Sequence, residues 1–262
     1  MARSRPTPAD ESVSFSKVRA VARSLQLSPE PRGGLRERKK QATRTLLSDT
    51  ATAMFLQRGF DDVRVAEIAE ACGVSEKTVY NYFPTKEALL LDEEEEMAVA
   101  VGDAMSSWDV SPVDAMLTLL ESKMRGLGDA FDEQGGAAAM TMVGHFSDLI
   151  ESTPSLRAYH RDAVDRLVRI AADGLATRTG LPADTPELQL TAFALVALWR
   201  IQIQSLQRHA AGGHTPAEVT ELVIGDVRRA ARLIDTGASG LWRAHRARRA
   251  GPNAARRASR RP

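Results

Sequence analysis

Cysteine is nearly absent from these 262 residues: Cys72 stands alone, so no intrachain disulfide can form and a reducing compartment is expected. Long apolar runs are missing too. The longest, at 193–199, falls far short of the roughly 20 residues that cross a bilayer. The first residues lack the apolar core of a secretory leader. No segment alternates convincingly as a strand, and no internal repeat is present. Signatures of catalysis are equally absent. There is no phosphate-binding loop and no Cys/His metal spacing. His145, Ser147 and Asp148 lie close in sequence, but no nucleophile elbow or Gly-rich oxyanion loop accompanies them. His160, Asp162 and Asp165 likewise lack a metal spacing. Neither an enzyme, nor a cofactor, nor a membrane protein is therefore expected, and the cytoplasm is the natural location.

The charge is present but segregated. The formal net charge is only +1. Residues 1–34 carry six Lys/Arg against three Asp/Glu, and residues 243–262 carry eight Arg and no acid. Residues 91–242 carry 12 basic against 23 acidic side chains. A further basic cluster lies at 36–44. An acidic body with positive ends points to a polyanion reached by particular segments. The acidic run at 92–96 points in several directions around a helix and is expected to be a solvated face.

Punctuation by Gly and Pro sets out the domains. A flexible N-terminal extension is expected over 1–34, with at most a short helix near 13–25. From Leu35, apolar Leu47, Ala51, Met54 and Phe55 recur on one helical face, which Gly59 ends. Val65, Ile68, Ala69 and Cys72 repeat the pattern; Gly73 breaks it, and Ser75 is suited to cap a third helix. Two short helices about a Gly turn make a helix-turn-helix. Pro84 stops the third helix, and Thr85 opens a fourth that is expected to run on to about residue 105. Further helices are expected near 112–130, 137–151, 154–178, 185–209 and 215–236, with a break at Gly237. The fold class is all-α. A helix-turn-helix domain at 35–90 precedes a helical body at 91–238 and a basic disordered tail at 239–262.

The stretch "VSEKTVYNYFPTKEAL" at 74–89 holds two of the chain's three tyrosines on little apolar surface. With Val74 and Val79 inward, Glu76, Lys77, Thr78, Tyr80, Asn81 and Tyr82 point largely outward. Lys77, Thr78 and Asn81 suit base edges, whereas Tyr80, Tyr82 and Lys86 suit phosphates. The N-terminus of the fourth helix attracts an anion. Arg38, Lys39, Lys40 and Arg44 can neutralise further phosphates.

The stretch "GFDDVRVAEIAEACGVSEKTVYNYFPTKEALL" resembles the N-terminal DNA-binding domain of the TetR family of transcriptional regulators. The likeness runs from about Arg36 to Leu91, with the elements G-F, I-A-x-x-x-G-V-S, T-x-Y-x-Y/H-F and K-x-x-L in order. It implies a homodimer whose paired recognition helices read a palindromic double-stranded DNA operator, and a body that binds a small effector. One position departs: Arg64 stands where the family usually has a capping, phosphate-binding Thr. Ser75, Glu76, Lys77 and Asn81 fall where the family contacts DNA.

The same resemblance places the effector in the middle of the body. Candidates there are Trp108, Met116, Leu120, Met124 and Phe131, then Met140, His145, Phe146, Leu149 and Tyr159. Met suits an adaptable lipophilic cavity, although such stripes also build plain cores. The segment "ELQLTAFALVALWRIQIQSLQ" is apolar on nearly every side, as expected of a helix buried against its own body and a partner. Two other readings remain open: a helical small-molecule-binding protein or enzyme with a merely structural helix-turn-helix, and an architectural DNA binder acting through its basic ends.

Overall fold

The computed structural model describes residues 34–91, 93–133 and 136–249. The expected N-terminal extension and the sequence beyond Arg249 lie outside these residues. Ten helices and no strand are found among the described residues: α1 Leu35–Arg58, α2 Val65–Ala71, α3 Glu76–Tyr82, α4 Lys86–Leu90, α5 Glu93–Ser106, α6 Pro112–Glu133, α7 Ala137–Ser152, α8 Pro154–Thr179, α9 Pro186–Ala210 and α10 Pro216–Arg249.

A head forms from α1 to α4. Leu47, Ala51 and Phe55 of α1 meet Val65 and Ile68 of α2, Val79 of α3, and Leu89 and Leu90 of α4 in one fully covered core. Burying a side chain such as Phe55 is worth about 1.5–3 kcal/mol. Gly59 ends α1 at φ +91°, its N–H donating to the Phe55 carbonyl, and Gly73 turns the chain between α2 and α3 at φ +67°. Both positions favour a residue without Cβ.

The expected long fourth helix is instead two. α4 stops at Leu90, where Leu91 leaves helical geometry at φ −107°, ψ 37°. Leu89, Leu90 and Leu91 are all buried in the head core. Successive residues of a continuing helix point about 100° apart, so three in a row do not share one core unless the backbone turns.

The body wraps α5 to α10 around two clusters. One joins Met105, Met116, Leu120, Leu175, Leu188, Leu195 and Val227; the other joins Met124, Phe131, Met140, Val219 and Ile224. α10 runs antiparallel to α6: Glu121 pairs with Arg228, Arg125 with Glu221, and Gly128 abuts Thr220. The expected break at Gly237 is absent, and α10 continues to Arg249. A single Gly costs only about 1 kcal/mol against Ala inside a helix, too little to stop one without Pro. Head and body share packing, since Leu156 at the start of α8 is buried in the head core beside Phe146, Leu149 and Tyr159.

Candidate nucleic-acid interface

Seven residues of α3 sit on a fixed base. Val79 is fully buried beneath them, and Ser75 Oγ accepts from the Thr78 N–H at 3.1 Å, capping the helix start. Thr78 Oγ1 lies 2.8 Å from the same Ser75 Oγ, so both hydroxyls are engaged at the cap. Glu76, Lys77, Tyr80 and Asn81 are exposed, whereas Tyr82 is half-buried against the head core. An outward face that is polar, cationic and aromatic on a helix this short is fit to meet base edges and phosphates in a groove. Arg38, Lys39 and Lys40 are exposed on the first turns of α1.

Two expected phosphate ligands are turned inward. The Arg44 guanidinium donates to the Tyr82 carbonyl at 3.2 Å and lies 4.7 Å from the centre of the Phe83 ring. Lys86 Nζ donates to the Phe60 carbonyl and sits 4.4 Å from the Phe60 ring centre and 5.6 Å from that of Phe55. Burial pushes the Lys86 pKa down, against the opposing pull of Asp61, Glu87, Asp62 and Glu67. Both cations brace the ends of α1 and α3 from within. Thr85 Oγ1 accepts from the Ala88 N–H at 3.2 Å and caps the five-residue α4.

Arg64 stands at the N-cap of α2 with its side chain exposed. A guanidinium has no acceptor, so the cap is built from the other side. The Glu67 carboxylate accepts from the Arg64 N–H at 2.9 Å and pairs with Arg58 at 3.3 Å and Arg64 at 3.8 Å. The backbone hydrogen bond from Arg64, with Arg58 and Arg64 nearby, holds the Glu67 carboxyl below its ordinary pKa. Sequence reasoning did not single out Glu67, although an acid three residues after a helix start is the signal that finds it.

The effector candidates do not gather in one place. Met116 and Leu120 lie in one body cluster, and Met124, Phe131 and Met140 in the other. Phe146, Leu149 and Tyr159 pack instead against the head. Trp108 is 44% exposed on the loop between α5 and α6, and His145 is exposed on α7. Trp108 follows the end of α5, and His145 lies on the outer face of its helix. A shallow open groove occurs elsewhere, lined by His214, Glu218, Leu222 and Arg229.

Sequence reasoning missed Asp226, which no motif announces. It accepts from Ser205 Oγ at 2.5 Å, contacts His209 Nε2 at 3.1 Å and Arg208 at 3.3 Å, and pairs with Arg229, tying α9 to α10. Among the described residues no group of three or more His, Cys, Asp or Glu could hold a metal ion, and no helix is long and apolar enough to cross a membrane.

Residues 47–92 match the family described as bacterial regulatory proteins, tetR family, and residues 133–233 match an MftR C-terminal domain. The HTH-type transcriptional regulator YuxN of Bacillus subtilis is 48% identical over 46 residues, 18% of this chain and 16% of that protein. The HTH-type transcriptional regulator TcmR of Streptomyces glaucescens is 30% identical over 158 residues, 58% of this chain and 66% of its own length. The chain thus spans less than two thirds of either relative. A TetR transcriptional regulator from Rhodococcus sp. RHA1 aligns over 75% of this chain and 97% of its own, with 22% identity and a TM-score of 0.42.

Proposed function

The chain belongs to the TetR family of transcriptional regulators, and we propose that it is a cytoplasmic repressor that binds a palindromic operator as a homodimer and is released by a small lipophilic effector. The observation that carries this reading is the face of α3. Glu76, Lys77, Tyr80 and Asn81 are exposed above a core anchored by Val79, beside the exposed cations Arg38, Lys39 and Lys40. Lys77 and Asn81 read base edges in the major groove, and Tyr80 and the α1 cations hold phosphates and set the register.

Two identical heads on a two-fold axis match a palindrome, with half-sites about one helical turn apart. The apolar residues left exposed on α9 and α10 supply the partner face. The effector acts by population shift. It binds better to a dimer whose heads no longer fit successive grooves, so operator affinity falls. The Met-rich clusters of the body are the material from which its pocket opens, since thioether side chains repack at low cost.

The test is capture of random genomic fragments by the purified protein, sequenced beside a Tyr80→Ala, Lys77→Ala double variant. Enrichment of a few palindromic sites, lost in the variant, is the expected result. Diffuse enrichment that survives in the variant would overturn the reading and move DNA binding to the basic ends.

A further inference from the structure

One side chain of the body completes the core of the head. Leu156, on the first turn of α8, is fully buried there, and every other buried member of that core comes from residues 47–91. Four partly buried side chains flank it. Phe146, Leu149 and Ile150 stand at i, i+3 and i+4 on one face of α7, and Tyr159 follows Leu156 by three on α8. The corner between α7 and α8 thus enters the head as a two-sided wedge, with α7 against α1 and α8 against α4.

The corner is bonded within itself and tied to the body behind it. Pro154 opens α8 with its φ preset, the Thr153 N–H donates to the Ile150 carbonyl at 3.3 Å, and the Arg157 N–H donates to the Thr153 carbonyl at 3.1 Å. The Arg157 guanidinium donates to the Glu151 carbonyl across the turn. Gln207 of α9 donates to Ser147 Oγ of α7 at 2.8 Å, and the centres of the His160 and Trp199 rings lie 5.8 Å apart between α8 and α9. The wedge is therefore mounted on the helix that also carries the exposed Leu190 and Phe193.

The covalent route from head to body carries little orientation. The chain crosses once, between Leu91 and Glu93, and Leu91 has already left helical geometry at φ −107°, ψ 37°. A residue at the end of an element is where a hinge absorbs rotation. No continuous helix runs from α4 into α5 to transmit an angle, so the angle is set by side chains that head and body share. Leu156 is the fully covered one among them.

Resting on the reading of the chain as a dimeric operator binder, we propose that Leu156 is a positioning residue for DNA: seated in the head core, it fixes the angle of each head on the body and thereby the half-site spacing that the dimer accepts. Its side chain is buried, so it makes no base or phosphate contact and acts only through the head. Two heads on a two-fold axis reach both half-sites at one separation, about one helical turn. Linkage gains most when the second head already lies over its half-site, and that advantage shrinks when the heads swing. An aliphatic wedge in a close-packed interior holds such an angle, because displacing it opens voids or overlaps atoms.

The experiment titrates the full-length protein, at fixed salt, with a single half-site, with the palindromic fragment recovered by genomic capture, and with copies of that fragment carrying base pairs inserted one at a time between the half-sites. Leu156→Ala empties the joint, and Leu156→Met refills it at nearly the same volume. Val63→Ala is the control, since it thins the head core from the connection between α1 and α2, where Val63 is fully buried. The parent should lose about 10²–10⁴-fold as insertions carry one half-site out of reach. Leu156→Ala should sediment as the parent does, keep its half-site affinity, and show an insertion penalty smaller by about tenfold. Leu156→Met should restore the parent's penalty, and Val63→Ala should keep it whatever it costs the half-site. Where circular dichroism shows that Leu156→Ala does not fold, Leu149→Ala, on the α7 side of the wedge, is read by the same criteria. An unchanged insertion penalty in the Ala variant overturns the proposal and leaves Leu156 as plain core. So does an equal loss of the penalty in Val63→Ala, which would assign the effect to head stability, and so does a parent that accepts every spacing alike. If capture recovers no palindromic fragment, the regulator reading itself fails and the positioning role falls with it; a recovered palindrome with one penalty for all variants sinks the positioning role alone.

Discussion

Arg44 and Lys77 are both cations of the head, yet their surroundings assign them different work. The Arg44 guanidinium is spent on the Tyr82 carbonyl and the Phe83 ring, while Lys77 stands exposed on α3. Arg44→Ala is expected to lower the stability of the head by about 1–2 kcal/mol, from a lost hydrogen bond and a lost cation–π contact. DNA affinity should then fall on every sequence while its dependence on log salt keeps the same slope. Loss of a true phosphate ligand would reduce that slope by about 0.9, and such a change would return Arg44 to the interface. Lys77→Ala should behave differently, losing about 1–3 kcal/mol on the preferred site and little on random DNA. Equal losses on both, measured by titration at fixed salt, would remove Lys77 from the base-reading set. Sequence alone sends both cations to DNA, Lys77 to base edges and Arg44 to phosphates, because residue type gives no direction. Only the packing of α1 on the end of α3 turns Arg44 inward.

At the scale of elements, α9 and α10 are locked by Asp226. Burial works against its carboxylate, but hydrogen bonds from Ser205 and His209, with Arg229 nearby, outweigh that and hold its pKa below the ordinary 3.8. A depressed carboxylate contributes stability in full above its unfolded pKa, and that contribution is lost as pH falls through the lower folded value. Asp226→Asn should therefore cost about 1–3 kcal/mol near neutral pH, where it removes charge-assisted hydrogen bonds. The gap in melting temperature between the parent and variant should narrow only below about pH 4. A gap that stays constant down to pH 2 would show that the carboxylate charge is not what joins the helices. Most boundaries of these elements were legible, because Pro112, Pro154, Pro186 and Pro216 stand at or near helix starts and Gly59, Gly73 and Gly180 at or just after helix ends. The break after Leu90 was not, since three adjacent leucines carry no period. The effector residues were not either: Met116 in a packed cluster and Met116 lining a cavity have the same helical spacing. Asp226 was invisible for a related reason, its partners Ser205 and His209 lying 21 and 17 residues away on another helix.

For the whole molecule, the decisive surface is the one the single chain leaves uncovered. α9 buries Leu188, Ala192, Leu195, Val196, Leu198 and Trp199 in its own body, yet Leu190 is 71% and Phe193 60% exposed, and Leu233 of α10 is 78% exposed. Large apolar side chains on two neighbouring helices are costly to leave in water and are suited to a second copy of the same face. In the proposed dimer, a C2 partner placed there would bury both stripes at once and fix the separation of the heads. Leu190→Asp with Phe193→Asp should then halve the mass measured by sedimentation while helicity by circular dichroism is retained. Because linking two heads makes the second half-site contact intramolecular, affinity for a palindromic fragment should fall by about 10²–10⁴-fold. Affinity for a single half-site should be unchanged. A double variant that sediments at the parent mass would move the dimer elsewhere. One that becomes monomeric yet keeps full affinity for the palindrome would break the link between dimerisation and operator recognition.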